Sequence, residues 1–156
     1  RGPSMADNLA GLLRGDLDAA QLFEPFAALA EAEGAAVWHA QAKAGPMAYS
    51  ALYASSKTLR ERRPAMRAMV RAVAGALRWL NAADPAEAAA ALDPRFPDLP
   101  RDIRARAIAR YQRLALWADG PLLPEAAFQA LGRAMLAQGA LPHIPDFALC
   151  VDQAVV

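Results

Sequence analysis

Residues 15–25 read G-D-L-D-A-A-Q-L-F-E-P, and the fold class turns on what this stretch becomes. Gly15 and Asp16 signal a turn, and Pro25 opens whatever follows. The short apolar run between them, 17–23, alternates poorly, as a strand buried on both faces does. On that reading Glu24 stands at the carboxyl end of a buried strand, where open α/β sheets place their ligand crevice. A glutamate ahead of a proline-initiated helix is equally a dipole-favoured cap. Sequence alone leaves both roles open.

Upstream, Ser4 and Asp7 have capping-box spacing, and Met5, Leu9 and Leu12 recur on one face until Gly15 supplies a stop, which predicts a helix over 5–14. Downstream, Pro25 opens a helix that runs to Gly34. Residues 35–42 and 47–54, parted by Gly45-Pro46, read as two further strands, the second carrying Tyr49 and Tyr53. Beyond Ala54 the period becomes helical: a short helix over 57–63, then a long one from Pro64. In the long helix Met66, Met69, Val70, Val73, Leu77 and Leu80 face inward, while Arg67, Arg71 and Arg78 face out. Asp84 caps an alanine-rich turn, and Pro94, Pro97 and Pro100 predict an extended connection. Residues 101–117 then place Ile103, Ala107, Tyr111 and Leu114 on a stripe, and 124–138 form a last helix stopped by Gly139. The expectation is an α/β domain with three short strands near its start and a helix-rich remainder.

Composition narrows the chemistry. The 156 residues include 41 alanines, which favour helix and leave little side chain to pack. A formal charge of +1 is too balanced for a dedicated nucleic-acid or polybasic membrane binder. Cys150, His39 and His143 form no cluster at metal-ligand spacing, so no metal and no cofactor is expected. No glycine falls in a phosphate-cradling pattern and no serine sits in a nucleophile elbow. Cys150, between Leu149 and Val151, reads as a small buried hydrophobe. His39 beside Trp38 is either a ligand contact or a satisfied structural histidine, and His143 is a turn residue. Lys57, Arg60, Arg62, Arg63, Arg67 and Arg71 against Glu61 alone give a local +5, read as a solvated face. The start Arg-Gly-Pro-Ser-Met carries no signal-peptide pattern, and the expectation is the tail of a longer protein rather than a start at Met5.

The string 15–25 resembles the G-x-(V/L)-D-A-A…E-P segment of the periplasmic substrate-binding proteins of ABC importers, in the group of thiamine-pyrimidine precursor, nitrate, sulfonate and taurine binders. The later order is similar too: Tyr49-Ser50, then M-V-R-A-V-A-G-A-L-R-W-L-N over 69–81, Trp117, the G-A-L-P turn over 139–142, and Val151-Asp152. The resemblance implies a two-lobed, type II Venus-flytrap fold that catalyses no reaction and hands a small molecule to a membrane permease. It assigns 1–44 to the end of the second lobe and the hinge return, and 45–156 to the carboxyl-terminal part of the first lobe, with an amino-terminal half missing. It implies a periplasmic or lipid-anchored extracytoplasmic protein that is a monomer when complete. Glu24 matches the acidic position that meets a polar ligand edge in relatives; Phe23, Tyr49 and Ser50 are the further ligand-binding candidates. The yeast-type pyrimidine synthases of this group depend on a cysteine-rich run that one cysteine cannot supply. The other reading is a stand-alone helical interaction module, docking a protein through its arginine-lined helices.

Overall fold

The Ser4 hydroxyl accepts the Asp7 N–H at 3.1 Å, and the Asp7 carboxylate accepts the Ser4 N–H at 2.9 Å. Two donors that a helix start leaves orphaned are thereby satisfied reciprocally. Helix α1 (Met5–Arg14) follows and ends at Gly15, whose φ of 77° is the left-handed conformation glycine adopts without cost. Both ends lie where the sequence put them. The computed structural model describes residues 2–155. Along them run α2 (Phe26–Ala32), α3 (Ser56–Glu61), α4 (Arg63–Ala82), α5 (Pro85–Ala91), α6 (Arg101–Arg113), α7 (Glu125–Ala137) and α8 (Phe147–Cys150).

No strand forms among the described residues, which corrects the expectation of three short strands near the start, while the remainder is helix-rich as expected. Residues 17–23 are irregular, 35–42 run without pairing into a single 3-10 turn at Gln41–Ala44, and 47–54 are irregular. The physical reason is that a strand exists only as one side of a ladder. An apolar run reports readiness to pair, and none of these runs forms a ladder among the described residues. The triple-proline connection also differs from its expectation: bonds from the Arg95 and Phe96 N–H groups to the Leu92 carbonyl fold it into successive turns.

The chain divides into two units, and the first takes residues up to Gln41 together with Ala82–Trp117. In it α6 packs on α5 and α2, and α2 packs on α1. The core is mostly methyl groups: Ala28, Ala30, Ala88 and Ala89 are buried with Ile103 and Ile108, and no large side chain is completely buried among the described residues. Alanine lets helix backbones approach closely, but each one removes little apolar area from water. Asp84 starts α5 as expected, its carboxylate accepting the Ala86 and Glu87 N–H groups at 2.8 and 3.3 Å.

The second unit takes Ala42–Asn81 and the chain from Ala118 onward. On α4 the residues Met66, Val70, Val73, Leu77 and Leu80 are half-buried, Met69 is exposed, and Arg67, Arg71 and Arg78 face solvent. On α7 Gly132 is buried because Ile144 lies over it; a Cβ there would stand 2.6 Å from Ile144 Cγ2. Phe128 and Phe147 meet edge to face with centroids 5.4 Å apart. Cys150 is exposed, which corrects its buried reading: it ends the four-residue α8 beside exposed Ala148 and Leu149, so its apolar neighbours in sequence do not enclose it.

Candidate functional site

Glu24 lies two residues before α2, separated from it by Pro25. Its Oε2 accepts the Ala28 N–H at 3.0 Å, so the carboxylate does cap the helix start. Its Oε1 lies 2.5 Å from Arg110 Nε, a charge contact rather than an aligned hydrogen bond. Both side chains are nearly enclosed, with 8% of the Glu24 side chain and 10% of the Arg110 side chain exposed. Arg110 Nη2 reaches a second carboxylate, Glu31, one helical turn beyond Ala28. One buried guanidinium thus serves two carboxylates of α2 and its entry, and joins that helix to α6. Phe23, the residue before Glu24, has 48% of its surface exposed.

Sequence reading missed Arg110. Its signal was present, because Arg110 is seven residues from Ile103 and so shares a helix face with it, but an arginine on an apolar face is ordinarily read as solvated. The same holds for Arg104, 7% exposed, which shares Asp93 with Arg101. The hydrogen bond from Arg101, followed by that from Arg104, holds the Asp93 carboxyl below the ordinary aspartate range despite its partial desolvation.

Tyr49 and Ser50 belong to the second unit. Tyr49 is 75% exposed, its N–H bonded to the Met47 carbonyl at 2.9 Å, and Ser50 is exposed beside it. Glu24 and Phe23 therefore adjoin each other in one unit, and Tyr49 and Ser50 adjoin each other in the other. His39 is exposed in the irregular segment that was expected to be a strand, and His143 is exposed in a bend.

The second unit holds an open cavity of about 390 Å³, lined by Ala54, Ser56, Leu59 and residues 148–154. Its polar edge is tied to α4. Arg63 Nη2 donates to Asp152 Oδ2 at 2.9 Å, and the Arg67 fork donates to the Ala154 carbonyl at 3.1 and 3.3 Å. The Arg63 hydrogen bond, then the Ala154 N–H, hold the Asp152 carboxyl below its usual range. Among the described residues no three metal-ligating side chains come together, and no helix is long and apolar enough to cross a membrane.

With the buried charge cluster at Arg110 and the cavity beside α4 described, comparison with known proteins supplies the class. The model of the NMT1-like family matches residues 3–92, and the chain belongs to that family. The match bears out the resemblance to the substrate-binding group read from the sequence. The family has a periplasmic-binding-protein fold and consists of binding proteins, in general solute-binding parts of ABC transport systems and typically extracytoplasmic. No curated protein and no solved structure matches the chain.

Proposed function

We propose that this chain works as part of a solute-binding component of an ABC importer, capturing a small molecule of the thiamine-precursor pyrimidine, sulfonate, nitrate or taurine kind and passing it to a permease. The observation that carries the reading is the family match over 3–92, a span that includes Phe23, Glu24, Tyr49 and Ser50. In this reading the fold is the two-lobed type II arrangement, with 1–44 closing the second lobe and 45–156 belonging to the first. The protein is periplasmic or lipid-anchored, monomeric when complete, and chemically inert toward its ligand.

Phe23, Tyr49 and Ser50 supply aromatic faces and a hydroxyl at the surface, the chemistry that orients a small planar or polar solute. Glu24 contributes a carboxylate whose charge is already matched by Arg110, so a ligand nitrogen that reaches it takes over part of that pairing. Glu24 and Glu31 share the single guanidinium of Arg110, and the one negative charge left over favours a nitrogen-bearing cation or heterocycle over a sulfonate or nitrate.

Titration calorimetry with an aminopyrimidine, taurine and nitrate tests the reading on the chain and on Glu24→Gln and Tyr49→Ala. The aminopyrimidine is expected to bind best. Glu24→Gln is expected to weaken it by about 2 kcal/mol, the scale of a lost charge-assisted hydrogen bond, and Tyr49→Ala to weaken it without changing the melting temperature. Equal affinity in the parent and both variants removes these residues from the site.

A further inference from the structure

Helix α4 carries four arginines and no acid. Arg63, Arg67, Arg71 and Arg78 are spaced four, four and seven apart, which puts them on one arc of the helix. The stripe they make is about 22 Å long at 1.5 Å per residue. Its first two members are engaged by the chain's own tail: the Asp152 carboxylate sits on Arg63, and the Ala154 carbonyl sits in the fork of Arg67. Three consecutive tail residues thus present a carboxylate and a backbone carbonyl to successive arginines. Arg71 and Arg78 are exposed and have no acidic partner among the described residues. Beside the stripe Ala68 and Ala72 are exposed and carry only methyl groups, leaving its first three arginines open to an approaching chain, while Trp79, 41% exposed, flanks Arg78.

We infer that the α4 arginine stripe is a docking surface for an extended acidic peptide segment of a partner protein, and that residues 152–154 occupy its first half as an intramolecular competitor. The spacing selects the occupant. Arginines four apart on a helix rise about 6 Å, and alternate residues of an extended chain repeat every 6.6 Å or so. An acidic residue at every second position therefore meets Arg63, Arg67 and Arg71 in turn, with backbone carbonyls between for the guanidinium forks, and Arg78 lies about 10 Å further on, three residues along the extended chain. Spanning the whole stripe takes about seven residues at 3.3 Å each. The surface lies within the second unit and stands independently of the solute-binding reading.

The test is fluorescence anisotropy on the full chain with a labelled peptide of alternating Asp and Ala, about eight residues long, and its Asn-Ala counterpart as control. The Asp-Ala peptide is expected to bind and the Asn-Ala peptide not. Arg71→Gln with Arg78→Gln is expected to weaken binding at least about tenfold, the effect of losing two charge-assisted contacts. Arg106→Gln with Arg113→Gln removes the same charge from exposed positions on α6 and is expected to change it less than about twofold. Asp152→Asn frees Arg63 and is expected to strengthen binding about threefold or more, whereas Asp119→Asn, with the same charge change, is expected to leave it alone. Matching circular dichroism melts keep each comparison between folded chains. Equal effects of the two arginine pairs, equal effects of the two aspartate changes, or tight binding to phosphatidylglycerol vesicles with none to the peptide would overturn the inference.

Discussion

The two units hold themselves together by different means. In the first, helices pack directly on one another through alanine, and a buried guanidinium fastens Glu24 and Glu31 to α6. In the second, polar ties at the surface do much of the joining: Arg63 to Asp152, Arg67 to Ala154, Gln153 to the Leu123 carbonyl, and Asn81 to the Ala118 carbonyl. The lesson is that removal of a tie has unequal consequences. A charge lost from an enclosed pair strands its partner where water cannot solvate it, while an exposed pair has water as its replacement.

The largest break is therefore expected at Arg110. Arg110→Ala leaves two carboxylates facing a methyl group and is expected to cost about 3–5 kcal/mol, the scale for removing one partner of a buried pair. Urea denaturation measures the loss, and hydrogen exchange is expected to rise first in Phe26–Ala32 and Arg101–Arg113. A cost below 1 kcal/mol or so would make Arg110 as replaceable as a surface arginine.

Gly132→Ala is the matching break in the second unit. The added methyl must push Ile144 aside, and overpacking of this kind costs about 1–3 kcal/mol. Pairing it with Ile144→Val should recover part of the loss in the same thermal melts, because the shorter side chain leaves room. Helix caps sharpen the comparison by offering one similar contact in each unit. Asp84→Ala in the first and Ser55→Ala in the second, whose hydroxyl accepts the Thr58 N–H at 3.1 Å, should each cost about 1 kcal/mol. A much larger loss at Asp84 would mean that α5 depends on its cap more than on its contact with α6.

The smallest effect is expected from acid. Asp93 in the first unit and Asp152 in the second both have carboxyls lowered from the ordinary 3.8. A lowered folded value means that the ionised form is preferred in the folded chain. Its contribution is full above the ordinary value and disappears as pH falls from there through the lowered one. Melting temperature should then decline below about pH 4. Asp152→Asn should flatten the part of that decline owed to the second unit, and raised salt should mimic it.

Helix starts and stops were legible because each depends on one or two residues near in sequence. Ser4 with Asp7, Gly15, Asp84 and Gly139 all act where they were read. The three strands were misread because 17–23, 35–42 and 47–54 have strand-like composition, and composition does not say whether a pairing edge will arrive. The setting of Glu24 was half legible. Its capping of Ala28 is local and was one of the two open roles, but the Arg110 contact joins residues 86 apart, since Arg110 is far down the chain from Glu24. Cys150 failed for a related reason: a helix of four residues is too short to turn its apolar neighbours toward a common core.

The methyl-lined core also sets how the chain responds to heat. Unfolding raises heat capacity chiefly by wetting apolar area, and cores of alanine have little of it to wet. The first unit, whose largest buried apolar side chains are Ile103 and Ile108, should therefore show a small heat-capacity increment and a small melting enthalpy for its length. A small enthalpy makes a broad transition, and a small increment makes a flat stability curve. In scanning calorimetry the protein should lose structure over a wide span of temperature and give up little stability on cooling.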